Sequence, residues 1–243
     1  MKPTLVFIHG FRGNALGLKE VAKKFPKRSF DIHMLEVPPA GNNTLKEYTA
    51  RLYARFVAEY IKENKLEKPI LIGHSMGSIV AAAVAERYPD LISDKIVFLS
   101  PISVHPNKFF SALTPFSAIM PNKFVGFITT KYLYVPKSDK ELNKELFKKT
   151  LNATYISGKD YTTRLDVYRS AKFSTQYSIS DFTFNKKALF ISGEKDHLIP
   201  NEKTKKTAQK FNAKEVYLKG SGHLLNFEDP SSVAKEIKKF IKS

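Results

Sequence analysis

The sequence predicts an α/β fold: a mostly parallel sheet covered on both faces by helices, with a helix-rich segment inserted in it. Three observations carry this reading. Short apolar runs alternate with helix-patterned stretches along most of the 243 residues. One of those runs passes through a single sharp turn, Gly73-His74-Ser75-Met76-Gly77, into an Ala-rich helix. The alternation then breaks over residues 103–186 and resumes afterwards. Alternating βα units need crossover connections, which place neighbouring strands parallel and put helices on both faces.

Taken in chain order, the strand candidates are Thr4–Ile8, Ile32–Val37, Ile70–Ile72, Lys95–Leu99, Ala188–Ser192 and Glu215–Leu218. Each is a short apolar run of the kind buried in a parallel sheet. Between them lie helical patterns at Leu16–Lys24, Leu45–Glu63, Ser78–Arg87, Glu202–Lys210 and Ser231–Ile241. In the last of these, Val233, Ile237, Phe240 and Ile241 form one apolar stripe, suited to packing on the sheet. The interruption opens with Pro101, Pro106, Pro115 and Pro121, then gives helical stretches at Lys123–Tyr134, Lys140–Leu151 and Tyr161–Lys172. It is dense in aromatics, among them Phe109, Phe110, Phe116, Phe124, Phe127, Tyr132, Phe147, Tyr155, Tyr161 and Phe173. A segment this long is too large for a simple loop in a compact domain.

Composition narrows the class. A 42% hydrophobic content supplies a packed core, and no apolar run approaches the ~18 residues of a membrane span. The first strand begins within four residues of Met1, which leaves no room for a signal peptide and predicts a cytoplasmic protein. The absence of cysteine excludes disulfides, thiolate zinc sites and a cysteine nucleophile. The 40 Lys and Arg outnumber the 23 Asp and Glu, for a net charge of +17. These cations are scattered, with no basic block interleaved with aromatics, so they read as solvated faces and no specific nucleic-acid partner is expected. Neither a dinucleotide-binding glycine fingerprint, nor a P-loop, nor metal-ligand spacing of the H-E-x-x-H kind occurs, so no cofactor and no metal are expected.

The G-x-S-x-G pentapeptide carries the chemistry. Flanked by a strand and a helix, it reads as a nucleophile elbow, a strained turn that projects the Ser75 hydroxyl from the end of the sheet. Gly73 and Gly77 give that crowded turn room. A serine hydroxyl attacks only when a base takes its proton, and the base needs an orienting acid. Downstream of Ser75 come Asp196, in Gly193-Glu194-Lys195-Asp196 after a strand, and His223, in Gly220-Ser221-Gly222-His223 on the loop after the last strand. Glu194 competes with Asp196 for the role of acid. Of the six histidines, His223 alone sits late enough in the chain to be the base.

With Leu5-Val6-Phe7-Ile8-His9-Gly10-Phe11 upstream and Asn226-Phe227-Glu228-Asp229-Pro230 after the histidine, the chain resembles the α/β-hydrolase superfamily, in its lid-bearing esterase and lipase-like branch. The resemblance spans residues 4 to 240. It lacks the two earlier strands that larger members carry. The resemblance implies a core formed by residues 1–102 and 187–243 and a helical cap over residues 103–186. It implies a triad of Ser75, Asp196 and His223, with the backbone N–H groups of Phe11 and Met76 as oxyanion hole. His9 and His74 are expected to pack and hydrogen-bond around the two turns, and Arg12 to be solvated.

The expected function is hydrolysis of a small-molecule carboxylic ester with a small-to-medium apolar acyl group, through an acyl-enzyme on Ser75. Serine at the elbow excludes the dehalogenases and epoxide hydrolases of this fold, which place Asp there. The same triad serves aminopeptidases, C–C bond hydrolases and acyltransferases among the lid-bearing relatives, and a slow-turnover ligand sensor is the alternative from another class.

Overall fold

The computed structural model describes residues 2–106, 124, 127, 131, 133–135, 140–154 and 164–243. Among them six strands, β1 (Thr4–Ile8), β2 (Asp31–Leu35), β3 (Ile70–His74), β4 (Lys95–Leu99), β5 (Lys187–Gly193) and β6 (Lys214–Leu218), form one sheet in the order β2-β1-β3-β4-β5-β6. Every neighbouring pair is parallel. The chain runs outward from β1 to β2, then crosses back over β1 to β3 and continues to the other edge. Strand order therefore reverses between β1 and β3, and the crevice beyond their C-terminal ends is where an open parallel sheet binds ligands.

Side chains of period two divide each strand between two cores. Val6, Ile8, Leu71, Phe98 and Phe190 face one side, with the buried stripe Tyr53, Val57 and Ile61 of helix α2 (Ala50–Glu63) and with α3 (Met76–Arg87). Leu5, Phe7, Ile72, Leu99 and Ile191 face the other, against Val21 of α1 (Lys19–Ala22). The C-terminal helix, Pro230–Lys242, completes this second layer with Val233, Ile237 and Phe240. Helix α3 is buried on every side from Met76 to Ala85, and its run of alanines lets α2 and the sheet approach it closely.

Helix boundaries follow local capping more closely than apolar periodicity. The helix expected from Leu45 begins at Ala50, because Thr49 is extended and its hydroxyl accepts the Leu52 N–H. The helix expected over Leu16–Lys24 splits into a 3-10 turn, Ala15–Leu18, and α1; the Asn14 side chain caps that turn by accepting the Leu16 N–H. The remaining helices are α4 (Lys140–Thr154), α5 (Arg164–Gln176), α6 (Asn201–Lys210), α7 (Leu225–Glu228) and α8 (Pro230–Lys242). No helix among the described residues is long and apolar enough to cross a membrane.

The long interruption leaves the sheet after β4 and returns beside its own point of departure: Ile179 N–H donates to Ile102 O at 2.8 Å and Ser180 N–H to Ser103 O at 3.2 Å. Its last described helix packs on the sheet layer, where Phe173 of α5 is fully buried with its ring 4.5 Å from that of Tyr53. The helix expected over 123–134 falls largely outside the described residues, as do Phe109, Phe110, Phe116, Tyr132, Tyr155 and Tyr161.

Two glycines set the distance between α3 and the sheet. A methyl group on Gly77 would collide with Ile8 O and lie 2.7 Å from His9 O, while one on Gly73 would collide with Gly77 O and lie 2.8 Å from Ser78 Cα. These obstacles are backbone atoms in the packed centre, so they cannot step aside. Gly77→Ala is expected to cost about 3 kcal/mol or more in urea unfolding. Gly17, which has nothing within 4 Å of an added Cβ, is the control, and Gly17→Ala should change stability by less than about 1 kcal/mol.

Candidate active site

The site grows out of the turn between β3 and α3. Ser75 has φ 51° and ψ −118°, a conformation that a residue bearing a Cβ occupies at a cost of roughly 1–3 kcal/mol. Neighbouring bonds hold it there. Ser75 N–H donates to Leu99 O at 3.0 Å, which fastens the turn to the end of β4. Ser78 Oγ donates to Ser75 O and accepts the Ile102 N–H. The outcome is a serine at the C-terminal end of the sheet with α3 running away from it, so the first N–H groups of the helix, beginning with Met76, point back toward the serine.

The loop after β1 closes over the same point. A Cβ on Gly10 would lie 3.1 Å from Ser75 Cβ and 3.2 Å from His74 Nδ1, so glycine permits this approach. Phe11 follows directly, half-buried, in a turn closed by the Gly13 N–H to Gly10 O bond of 3.0 Å. Phe11 thus directly follows the glycine that approaches Ser75, and Met76 directly follows Ser75 itself.

His223 reaches the serine from the loop after β6. Its Nε2 is 2.9 Å from Ser75 Oγ and its Nδ1 is 2.8 Å from Asp196 Oδ2. An ionised carboxylate only accepts, so Nδ1 carries a proton, and in the neutral ring the Nε2 lone pair faces the serine hydroxyl. The side chains of His223 and Asp196 are each 2% exposed. Burial alone would raise the Asp196 carboxyl, but the imidazole and the N–H groups of Leu198 and Ile199, at 2.9 and 3.3 Å, outweigh it and hold Asp196 below its ordinary value. Glu194 sits elsewhere: it is exposed and its carboxylate accepts the Gly220 N–H at 3.2 Å.

Two further histidines brace the turns without touching Ser75 Oγ. His9 Nδ1 donates to Gly10 O at 2.9 Å and its Nε2 accepts the Val37 N–H at 3.1 Å. That second bond requires an unprotonated Nε2, so the 3.5 Å approach of Glu36 is no ion pair. His74 Nε2 donates to His223 O at 3.2 Å. Burial is the main cause that lowers both rings, His9 to about 4 and His74 to about 3, with the neighbouring His223 adding to the shift of His74. Arg12 departs from expectation: it is buried, 5% exposed, at φ 54° in the turn that also carries Phe11. Among the described residues no group of three or more His, Asp or Glu side chains converges as a metal site.

A family model described as the alpha/beta hydrolase fold matches residues 3–230. The chain is 26% identical over 251 residues to the uncharacterized hydrolase YugF of Bacillus subtilis, covering 99% of this chain and 90% of that one. It is 27% identical to a putative esterase/lipase of Haemophilus influenzae, covering 98% and 83%. Among solved structures, an esterase from Exiguobacterium antarcticum superposes with a TM-score of 0.81 at 14% identity, covering 99% and 92%.

The buried histidines make stability depend on pH with a definite sign. The unfolded chain protonates them near ~6.5, the native chain only near 3 to 4, so between these limits the native state binds fewer protons. Stability therefore falls as pH drops through that window, by up to about 1.4 kcal/mol per pH unit for each ring. Asp196 acts in the same direction at lower pH, since its native carboxyl takes up a proton less readily than the unfolded one. In urea unfolding between pH 6 and 4.5, His74→Gln is expected to flatten the slope by about one such increment. An unaltered slope would show that the native ring is already protonated in that range.

Proposed function

The chain belongs to the α/β-hydrolase fold family, and from that membership we propose that it is a serine esterase acting on carboxylic esters with a small-to-medium apolar acyl group. One observation carries the reading: the unbroken line from Ser75 Oγ through the His223 ring to Asp196, with both hydrogen bonds under 3 Å and both partner side chains buried.

In this mechanism His223 Nε2 takes the hydroxyl proton as Ser75 Oγ attacks the ester carbonyl. The carbonyl oxygen gains the negative charge, and the N–H groups of Phe11 and Met76 receive it. Asp196 stabilises the imidazolium for as long as it lasts, without taking the proton. His223 then protonates the departing alkoxide, which leaves as an alcohol, and the acyl group stays on Ser75. Water, deprotonated by the same imidazole, attacks the acyl-enzyme and releases the acid. The esterase and esterase/lipase names of similar proteins favour an ester over other acyl substrates. The proposed cap, residues 103–186, would cover the serine and hold the acyl chain among its aromatics.

Ser75→Ala and His223→Ala should each lower kcat by about 10³-fold or more on an activated ester, and the double variant should lose little beyond either alone. Asp196→Asn should be severe and Glu194→Gln mild; the reverse order would move the acid to Glu194. A serine-directed phosphonate should label Ser75 alone. Near-normal turnover by Ser75→Ala protein would end the serine mechanism.

The substrate class is tested by an acyl-length series. Each buried CH₂ contributes up to ~0.8 kcal/mol, nearly fourfold in binding. Consequently kcat/KM is expected to climb from acetyl to butyryl or hexanoyl esters and then to level off or fall. A strict acetyl preference would mean that the aromatics fill the pocket themselves, and strong activity on emulsified long-chain triglyceride would contradict an enclosed pocket.

A further inference from the structure

We propose that Glu228 is a positioning residue: its carboxylate clamps the loop that carries His223 to the inserted segment at residues 133–135, so that the base is aligned only while that segment is seated. The proposal rests on the serine-hydrolase reading above and deepens it.

The clamp is built from both oxygens of one side chain. Glu228 Oε2 accepts the Gly222 N–H at 2.8 Å, one residue before His223, and Oε1 accepts the Val135 N–H at 2.6 Å, from a point 93 residues away in the chain. A third bond closes the arrangement, because His223 N–H itself donates to Leu133 O at 3.1 Å. The two backbones approach so closely that a Cβ on Gly222 would lie 2.9 Å from Leu133 O and 3.0 Å from Val135 Cγ2. His74 then holds the His223 carbonyl from the opposite side. Both peptide groups of His223 are thereby fixed, one by the inserted segment and one by the elbow.

Each end of the clamp is anchored. On the loop side, Glu228 closes α7, which Asn226 ties to Gly17 O through a 2.6 Å bond. On the other side, Tyr134 OH donates to Asn143 Oδ1 of α4 at 2.9 Å, and Leu133 and Tyr134 pack with Leu146, Leu224 and Phe227. Bonds from N–H to an ionised carboxylate are about twice as strong as neutral ones, and two oxygens can serve two donors at once. An amide at this position offers one acceptor and must turn its NH₂ toward one of the two N–H groups. Since a misplacement of about 1 Å at a reacting group can cost ~10²-fold, losing half the clamp should be felt at the serine.

The experiment compares full-length wild type, Glu228→Gln and Glu228→Asp. Four quantities are read: amide hydrogen exchange of the peptides carrying Val135 and Gly222, kcat and KM on a short-chain ester, the rate of Ser75 phosphonylation, and the melting temperature. For Glu228→Gln, exchange at both amides should quicken about tenfold or more. kcat and phosphonylation should fall together by about 10- to 100-fold, while KM stays within about twofold and melting shifts by only a few degrees. Glu228→Asp, which keeps the charge but is one methylene shorter, should recover part of the loss, and it decides the matter if the glutamine variant does not fold. Unchanged exchange would show that the clamp does not exist in solution. Faster exchange with kcat and phosphonylation intact would show a purely structural tie and overturn the positioning role. If wild type neither turns over esters nor takes the phosphonate, the serine-hydrolase reading fails, and exchange still reports on the clamp.

Discussion

Residue 75 is held where relaxed chains do not go, and much of the centre of the molecule serves that constraint. A backbone at φ 51° and ψ −118° relaxes unless its surroundings over-determine it. Here the surroundings are the end of β4, which accepts the Ser75 N–H, and the close stacking of α3 on β1 and β3, which only glycine at 73 and 77 allows. The alanine-rich face of α3 extends the same close approach along the helix. The strain at the serine is thus balanced against burial of two hydrophobic layers.

Around that point the electrostatics divide the polar groups by role. His9 and His74 lose their charge to burial and serve as fixed neutral struts, one shaping the loop after β1 and the other holding the backbone of His223. Asp196 keeps its charge although buried, because three donors converge on its two oxygens. A lone buried carboxylate would be costly, but a satisfied one is a stable place to lean a ring against.

The sheet and the order of its elements could be read from the sequence because apolar period and turn residues are local signals. All six strands start and end within two residues of the expected positions, β2 ending two residues early at Leu35 and β3 two residues late at His74. Ser75, Asp196 and His223 could be named because each lies beside a strand end with a recognisable turn. What distinguishes Asp196 from Glu194 is the fold of the turn itself: Asp196 N–H returns to Gly193 O and Asn201 holds the carbonyls of Gly193 and Glu194, which leaves the Glu194 side chain outside. Arginine usually stands in solvent, and no local signal announces that Arg12 is buried at a positive φ. Glu228 stands in the sequence only as part of the Asn226–Pro230 stretch after the histidine, and its tie to Val135, 93 residues away, is visible only in space.

The paired departure and return at Ile102–Ser103 and Ile179–Ser180 bears on how such a chain can change over generations. Because the two ends meet through backbone hydrogen bonds at the rim of the sheet, the loop closure is already made by the core. Doubling the chain between such ends costs only about 0.6 kcal/mol in closure entropy. Changes of length between these points, away from the buried Phe173 and the residues 133–135 that meet the His223 loop, therefore add little strain to the six strands. The scaffold stays under strict steric rule at Gly73 and Gly77, while the chain joined at these two ends can change length at small entropic cost, on a sheet that need not be rebuilt.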